Sequence, residues 1–362
     1  MNLSRWTNAA KHSYCPIALF HPNKVLSTLD TWNKHLPNIT PYYAIKSFSN
    51  NYMFNTLANS KYNIGFDIAS RKEHQLIKNY NKPIVFSHTI KSAIDIKYAK
   101  ENKISPLMAD SIEELNKIRE HYNECPIIWR IKSYEQNSKI RFNKKFGADD
   151  NDTIYALLNY PEIIGISFHV GSQCNKMDSY IKTIDTILDR YYGIAYTNGN
   201  KLKIIDIGGG YNSSNDIIEL STIGKNSFNK IEKLGIKCIA EPGRLFSKNS
   251  ISLFTKIIGI KMDFDRMDIY INDSIYNSFS GKVFDKQYFS PIPLYNNSKT
   301  IECRIWGNTC DGLDIIVDSV ILPIPKIDDI LLWENMGAYT LCSSVDGFNG
   351  FPMAQIVNEN EI

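Results

Sequence analysis

The sequence predicts an α/β fold in which a (β/α)8 TIM-like barrel is followed by an antiparallel β domain. Eight short β-like runs alternate with helix-length segments between residues 15 and 245, and eight such units over about 220 residues match a closed parallel barrel. After residue 246 the helical periodicity fades and alternating or continuously apolar runs follow. We therefore assign 15–245 to the barrel and 246–362 to the β domain, with which the first 20 or so residues could also pack. A doubly wound open sheet is the structural alternative.

The eight candidate strands are apolar runs that stop at a polar or glycine-rich position. They end near Lys46 ("YYAIK"), Asp67 ("NIGFD"), Ser87 ("IVFS"), Asp110 ("PLMAD"), Arg130 ("IIWR"), His169 ("IIGISFH"), Ile207 ("KIIDI") and Glu241 ("KCIAE"). Amphipathic segments lie between them. One runs from Ser111 to Glu124 and opens on S-x-x-E, which predicts a capping box. Another, Asp178 to Gly193, has apolar residues recurring at threes and fours.

Composition and charge exclude several classes of function. The 362 residues carry a formal net charge of +3 without long blocks of either sign, so no nucleic-acid partner is predicted. No apolar run approaches the roughly 20 residues that cross a bilayer, and the start is too polar for a secretory signal. The seven cysteines are scattered and form no C-x-x-C pair, which predicts no structural metal site and a reducing, cytoplasmic location.

Titratable side chains fall at the ends of six of the eight strands. Active sites of (β/α)8 barrels lie at the C-terminal ends of their strands, so these residues are predicted to share one pocket. Singly, each has an ordinary structural explanation, such as a solvated lysine or a core histidine. They are Lys46, Asp67, Asp110, Arg130, His169 and Glu241.

The seventh strand runs instead into Gly208–Gly210, "GGG". Consecutive glycines allow backbone N–H groups to approach an anion closely, and barrels of this kind often hold a phosphate at this position. Glu241 opens the segment "EPGR", which ends on Arg244. A carboxylate facing a pyridine nitrogen keeps that nitrogen protonated, so a lysine, a phosphate loop and such an acid together indicate a pyridoxal-phosphate site.

Taken together, the motifs resemble those of the ornithine/diaminopimelate/arginine decarboxylase family, closest to its eukaryotic-type ornithine decarboxylase branch. The resemblance covers nearly the whole chain and rests on "PYYAIKSFSN", "GFDIASRKE", "GISFHVGSQ", "DIGGGY", "AEPGR", "YINDSIYNSF", "WGNTCDGLD" and "ENMGAYT" in the family's order. It implies an alanine-racemase-like barrel with a C-terminal β domain, and pyridoxal 5'-phosphate as the cofactor.

The resemblance also implies a role for individual residues. Lys46 would carry the cofactor as a Schiff base, His169 would stack on its ring and Glu241 would bond its pyridine nitrogen. Asp67, Glu73 and Arg130 would support the lysine. The phosphate would be held by Ser172, Gly209, Gly210, Arg244 and the Tyr339 hydroxyl.

In the family, "CDGLD" reaches into the site of the neighbouring subunit. Cys310 would therefore protonate the product carbanion there, and Asp311 would contact the distal amine of the amino-acid substrate. The resemblance thus implies a head-to-tail homodimer with shared active sites.

The segment "GKVFDKQYF" aligns with the family's specificity region and places Asp285 where an acid receives the distal cation. Relatives that take arginine tend to carry the longer Glu there, so the resemblance favours decarboxylation of L-ornithine to putrescine in polyamine biosynthesis, with lysine to cadaverine second. Because one methylene is worth only about 1–3 kcal/mol, both activities can coexist. Arginine or diaminopimelate decarboxylation, racemisation and an inactive regulatory homologue are the alternatives.

Four departures from the family pattern stand out. Phe284 replaces the usual Tyr near the distal amine, and Asn308 replaces the proline before Cys310. His88 stands in place of an asparagine and is given no role. One extra residue precedes Phe348, which is assigned to the substrate pocket.

Overall fold

In a computed structural model, residues 3–135, 137–346 and 348–361 are described. The chain divides into two compact units. The barrel unit comprises Leu26–Lys46 and Phe54–Phe246, and the sheet unit comprises the chain up to Val25, Ser47–Met53 and the chain from Ser247 onward. These bounds differ from the division predicted at residues 15 and 246, because an N-terminal strand and the turn after Lys46 group with the sheet unit.

The strands and helices of the described residues are numbered in chain order. The strands are β1 (Ile17–Phe20), β2 (Ile39–Ala44), β3 (Gly65–Ile68), β4 (Ile84–Phe86), β5 (Leu107–Ala109), β6 (Ile127–Arg130), β7 (Ser138–Ile140), β8 (Ile163–Ser167), β9 (Ser172–Cys174), β10 (Ile204–Asp206), β11 (Lys237–Ala240), β12 (Ile251–Asp263), β13 (Arg266–Ile271), β14 (Pro291–Pro293), β15 (Thr300–Trp306), β16 (Ile315–Pro323), β17 (Ile330–Trp333) and β18 (Gln355–Asn358). The α-helices are α1 (Leu3–His12), α2 (Pro22–His35), α3 (Asn51–Ala58), α4 (Arg71–Ile77), α5 (Ala93–Glu101), α6 (Ile112–His121), α7 (Asp150–Asn159), α8 (Asp178–Thr186), α9 (Tyr192–Thr197), α10 (Ser214–Ile223), α11 (Lys225–Lys233), α12 (Arg244–Ser247) and α13 (Gly281–Phe284).

Eight parallel strands close the barrel in the order β10-β11-β2-β3-β4-β5-β6-β8. All eight predicted strands are present, and closure excludes the doubly wound open sheet. Large apolar side chains fill the interior, as is usual where both faces of a parallel sheet are covered. The buried members of this interior cluster are Tyr42, Val85, Met108, Ile128 and Ile239.

Several helices begin at a serine or aspartate whose side chain accepts a hydrogen bond from a free backbone N–H group of the first turn. Ser111 accepts a hydrogen bond from Glu114 N at 3.2 Å, as the capping-box pattern predicts. The Glu114 side chain does not complete the box, since its Oε1 accepts from Lys91 N at 3.1 Å. The helix predicted over 178–193 is interrupted, because a π-helical turn, Ile187–Tyr191, separates α8 from α9.

The sheet unit is built on an eight-stranded mixed sheet. β12 pairs antiparallel with β1, β13 and β17, whereas β13 pairs parallel with β15 and β1 parallel with β18. Helix α1 packs on this sheet through Trp6 and Ala10, which join Phe254 and Leu332 in one buried cluster. Within the described residues, no helix is long and apolar enough to cross a membrane.

Candidate active site

Lys46 follows strand β2 in a single turn, Ile45–Ser47, and forms an ion pair with Asp67 of β3. Its Nζ donates to Oδ2 of Asp67 at 3.0 Å. The hydroxyl of Ser87, at the end of β4, donates a short hydrogen bond to the other oxygen, Oδ1. The aspartate is therefore held from two neighbouring strands, which fixes the oxygen that faces the lysine.

Glu73, on helix α4, is a second carboxyl group near this pair. Its Oε2 accepts from Ala69 N at 2.5 Å, which completes the N-terminal turn begun by Ser70. Burial raises the pKa of Glu73, and the negative charge of Asp67 adds to that effect. Glu73 thus acts on the lysine region through its charge, while its hydrogen bond stabilises the start of helix α4.

Arg130 ends strand β6 and lies among four carboxyl groups. Burial lowers its pKa, and Glu241, Asp110, Asp206 and Asp67 oppose that effect, in that order. Its guanidinium carbon lies 4.9 Å from the ring centroid of Phe146. Arg130 is thus the guanidinium cation that balances the carboxyl groups of this pocket.

His169 lies just beyond strand β8. Gly171 N donates to its Nδ1 at 3.1 Å, so this nitrogen carries no proton. Phe142 packs beside the imidazole with ring centroids 4.8 Å apart. Burial, reinforced by the charges of Arg130 and Lys46, holds the pKa of His169 well below its ordinary value. The ring is therefore a neutral, flat surface, as stacking on an aromatic cofactor requires.

The glycine loop after β10 is too tight for side chains. A Cβ on Gly209 would lie 2.5 Å from the carbonyl oxygen of Glu241, and one on Gly210 would lie 2.5 Å from that of Gly171. Gly210 also has φ +118°, which disfavours other residues. The loop therefore presents bare backbone, as an anion-binding turn does.

Ser172 and Arg244 come together near that loop in the barrel unit, since an Nη of Arg244 donates to the Ser172 hydroxyl at 3.3 Å. Arg244 is 8% exposed. A buried guanidinium beside a hydroxyl and a glycine loop suits a phosphate group.

Glu241 follows strand β11 and is only 6% exposed. Among the described residues no group donates a hydrogen bond to its Oε1. Burial, then the nearby charges of Asp206 and Asp67, raise its pKa well above the ordinary value. A buried acceptor without a donor is costly, so this oxygen is suited to a donor that a bound group would bring.

Two further polar residues of the barrel escaped the sequence analysis. Asp206 is the last residue of β10 and is fully buried, so the seventh strand also ends on a titratable group. Its position at a strand end was the available signal, but the adjacent glycines were considered instead. Ser87 was identified as a strand end without a role, and only its bond to Asp67 reveals one. His88, beside it, packs edge-on to Phe146 at 6.5 Å.

In the sheet unit, Cys310 and Asp311 lie on an exposed loop closed by Asp314. Cys310 N donates to Oδ1 of Asn349 at 2.9 Å. The Tyr276 hydroxyl donates a short hydrogen bond to Asp311, and this bond lowers the pKa of Asp311.

Asn308, which precedes this loop, donates its N–H to the carbonyl oxygen of Asp273 at 3.1 Å. The Tyr276 ring stacks on Phe348 with centroids 4.0 Å apart, so Phe348 lies beside Asp311 despite the extra residue before it.

The remaining predicted residues of the sheet unit have distinct settings. Asp285 ends α13 and is 6% exposed, and its Oδ2 accepts from Nε2 of Gln287 at 2.6 Å. Its neighbour Phe284 is 64% exposed. Tyr339 adopts φ +54°, and its N–H donates to the carbonyl oxygen of Ser47 at 3.0 Å.

Comparisons with known proteins agree with the fold. A family described as "Pyridoxal-dependent decarboxylase, pyridoxal binding domain" matches residues 23–248. Ornithine decarboxylase of Mus musculus is 31% identical over 355 residues, covering 90% of this chain and 76% of that protein. Antizyme inhibitor 2 of Xenopus laevis is 32% identical over 359 residues, covering 89% and 76%. The crystal structure of Paramecium bursaria Chlorella virus arginine decarboxylase superposes with a TM-score of 0.91 at 28% identity, covering 98% of this chain and 99% of that one.

Proposed function

Because the chain belongs to the family of pyridoxal-dependent decarboxylases, we propose that it decarboxylates L-ornithine to putrescine, with L-lysine as a second substrate. The general reaction is removal of the α-carboxylate from a basic amino acid with pyridoxal phosphate as cofactor, and the relatives' names agree with it. The choice of ornithine among the basic amino acids rests on residues of this chain.

The barrel residues fit pyridoxal phosphate. The test is Glu241, whose buried Oε1 receives no hydrogen bond from any residue in the described part of the chain, because a protonated pyridine nitrogen is the donor it lacks. Gly209 and Gly210 pack too closely against the carbonyl oxygens of Glu241 and Gly171 to carry a side chain, so their own backbone stays uncovered, and Arg244 with Ser172 supplies charge and a hydroxyl. These residues would hold the ring nitrogen and the phosphate.

Bound pyridoxal phosphate supplies an aldehyde for the lysine and substrate amines and a pyridinium ring that accepts the electron pair left by departing CO₂. Asp67 holds the Nζ of Lys46 in one orientation, and Ser87 holds Asp67. His169, kept neutral by burial, offers its flat ring without adding a positive charge. The Cys310 thiol, on its exposed loop, would return the proton to Cα.

The observation that carries the choice of substrate is the buried Asp285. Its Oδ2 accepts from Nε2 of Gln287 at 2.6 Å, and a carboxylate in this position suits the distal ammonium of ornithine or lysine. Asp311, ionised and bonded to Tyr276, supplies a second carboxylate. Two acids favour a diamino acid over a substrate that ends in a carboxylate.

The exposed loop of Cys310 and Asp311 supports a head-to-tail homodimer in which this loop completes the site of the other subunit. Leu313, on the same loop, is 77% exposed, and Phe284 is 64% exposed. Large apolar side chains grouped around functional residues are typical of an interface. All seven cysteines are free thiols, which supports a reducing compartment such as the cytoplasm.

Two other functions have a specific observation in their favour. The similarity to the viral arginine decarboxylase favours arginine as substrate, although Asp285 is the shorter acid. The similarity to antizyme inhibitor 2 favours a regulatory homologue. The presence of Lys46, His169, Glu241 and Cys310 argues for an enzyme.

The test is CO₂ release with pyridoxal phosphate from L-ornithine, L-lysine, L-arginine and meso-diaminopimelate, with Lys46→Ala as the control. We expect release from ornithine, weaker release from lysine, and none from the control. A preference for arginine would overturn the Asp285 argument while leaving the chemistry intact. No release from any of the four, with no cofactor bound through Lys46, would favour the regulatory homologue.

A further inference from the structure

Asp206 is a buried carboxyl group inside the barrel unit, and the proposed function assigns no role to it. It ends strand β10, in register with Ser167 of β8 and Ile239 of β11. Ile239 belongs to the interior cluster, so Asp206 points into the barrel as well. Its side chain is 0% exposed. Glu241 lies two positions beyond Ile239, and its N–H donates to the carbonyl oxygen of Gly208 at 2.8 Å.

The two oxygens of Asp206 have different surroundings. Oδ1 accepts a hydrogen bond from Gly208 N at 2.8 Å, which ties the carboxyl group to the start of the glycine loop. Oδ2 is buried, and no donor reaches it from the residues that the structure describes. The carboxyl group of Glu241 is close enough to act electrostatically on that of Asp206, and its Oε1 is likewise buried without a donor among the described residues.

Two ionised carboxylates can only accept hydrogen bonds, so they cannot satisfy each other. A single proton shared between Asp206 and Glu241 removes the difficulty, because one carboxyl group then donates to the other. Such sharing is the usual outcome when two acids meet in a buried site.

The charges around the pair lead to the same conclusion. The cations near it are Arg130 and Lys46, whereas Asp67, Asp206 and Glu241 are three buried acids. Burial raises the pKa of Asp206 to about 7, and the charge of Asp67 adds to this. The contact with Glu241 lowers the pKa of Asp206, whereas burial and the charge of Asp206 raise the pKa of Glu241 well above its ordinary value. The pair therefore holds one proton, and a pyridinium facing Glu241 would favour the place of that proton on Asp206. A proton on the pair leaves the two cations facing two negative charges.

We propose that Asp206 is a positioning residue whose protonated carboxyl group donates a hydrogen bond to Glu241 and so keeps Glu241 as the carboxylate that faces the pyridine nitrogen. The inference rests on the proposed role of Glu241. It gives Asp206 one task at each oxygen: Oδ1 fixes the start of the glycine loop, and Oδ2 orients the acid that governs the ring nitrogen.

Substitution by asparagine tests this sharply, because an amide reproduces a protonated aspartate. In Asp206→Asn the amide oxygen can still accept from Gly208 N and the amide NH₂ can donate to Glu241. Asp206→Ala removes both bonds. We therefore expect Asp206→Asn to bind pyridoxal phosphate within about threefold of the unaltered protein, and Asp206→Ala to bind it about tenfold more weakly or worse, as the loss of a hydrogen bond to a charged group implies.

Two readouts are independent of turnover. The first is the infrared carbonyl band of a protonated carboxylic acid in the cofactor-loaded protein, which the unaltered protein should show and Asp206→Asn should lose. The second is the visible absorbance of the bound cofactor across pH, which Asp206→Asn should leave unchanged and Asp206→Ala should shift. Circular dichroism and thermal unfolding establish that each variant folds. If Asp206→Ala does not fold, the asparagine variant and the infrared band decide.

Equal damage from Asp206→Asn and Asp206→Ala would overturn the proposal, since Asp206 would then act as an ionised carboxylate. If Glu241→Gln alone left cofactor binding and absorbance unchanged, the assigned role of Glu241 would fail instead. These outcomes distinguish a failure of the inference from a failure of the proposed function.

Discussion

Lys46 and Asp67 form an ion pair in which the aspartate is buried and the lysine is accessible to solvent. The Nζ–Oδ2 distance is 3.0 Å, and the side chains are 42% and 1% exposed, respectively. A surface lysine gains little from such a pair, but a sealed acid that points at an accessible amine fixes where that amine can react. This asymmetry explains why an apolar strand is followed by an ammonium group.

Ser87→Ala should impair the reaction without unfolding the protein. The Ser87 hydroxyl is the donor to the Oδ1 of Asp67 that does not face Lys46, so its loss frees the carboxylate to rotate. We expect about a tenfold fall in kcat, the scale of one hydrogen bond to a charged group, and a similar slowing of pyridoxal phosphate attachment measured by absorbance.

The matched control for Ser87→Ala is Ser92→Ala, five residues further along the chain. Ser92 caps helix α5 by accepting from Asp95 N at 3.2 Å. Its loss should lower the free energy of unfolding by about 1 kcal/mol and leave cofactor attachment unchanged. Equal rates for Ser87→Ala and the unaltered protein would show that Asp67 is oriented by other contacts.

Asp285→Asn should remove much of the selectivity for a distal ammonium. The carboxylate is 6% exposed, so a neutral amide there loses a charge-assisted bond worth roughly 1.5–3 kcal/mol. We expect kcat/KM for L-ornithine to fall by about ten- to a hundredfold, mainly through KM. Steady-state CO₂ release measures it.

Asp318→Asn serves as the control for Asp285, because Asp318 is 77% exposed and pairs only loosely with Lys282 at 3.5 Å. It should behave as the unaltered protein does. If Asp285→Asn turned over ornithine normally, the distal amine would have to be bound elsewhere, and the choice of ornithine over arginine would lose its support.

Mixing two inactive variants tests the shared site of the proposed homodimer. In a head-to-tail dimer Lys46 of one subunit works with Cys310 of the other. A hybrid of Lys46→Ala and Cys310→Ala subunits then contains one intact site and one doubly damaged site. Equal mixing with subunit exchange should restore roughly a quarter of the full activity, since half the dimers are hybrids.

The control mixture is Lys46→Ala with His169→Ala. Both residues belong to the barrel unit, so no arrangement of subunits gives an intact site and no activity should return. Activity that fails to return in the first mixture, despite proven subunit exchange, would mean that each chain supplies its own Cys310.

The barrel could be predicted from sequence because each of its strands is an apolar run that stops at a polar residue. Lys46, Asp67, Arg130, His169 and Glu241 were identified in this way, and in the barrel unit each lies close enough to at least one of the others for their charges to interact. Asp206 was missed because a buried acid inside "KIIDI" looks like an interruption of the strand, and its importance depends on Glu241, 35 positions away in sequence.

Other features could not be predicted because they depend on long-range pairing. The mixed character of the sheet arises where β13 pairs in parallel with β15, and no local pattern distinguishes that pairing from an antiparallel one. The π-helical turn at Ile187–Tyr191 leaves the apolar spacing nearly unchanged. A hydroxyl such as that of Ser87 has no charge to mark it, so only its contact reveals its role.

Acid should destabilise the cofactor-free protein through His169. Burial, Arg130 and Lys46 hold the pKa of this imidazole well below 6.5 in the folded state, so it stays neutral while the unfolded chain binds a proton. The stability that it contributes is complete above the unfolded pKa and is lost as the pH falls toward the folded pKa, at up to about 1.4 kcal/mol per pH unit. His21, His74 and His88 also have lowered pKa values and add to the slope.

His169→Phe isolates the contribution of His169, because phenylalanine keeps an aromatic ring against Phe142 but cannot titrate. Urea unfolding of the cofactor-free protein between about pH 7.5 and 5 should give a flatter profile for this variant than for the unaltered protein. Parallel profiles for His169→Phe and the unaltered protein would mean that His169 is protonated equally in the folded and unfolded states, so that burial does not lower its pKa.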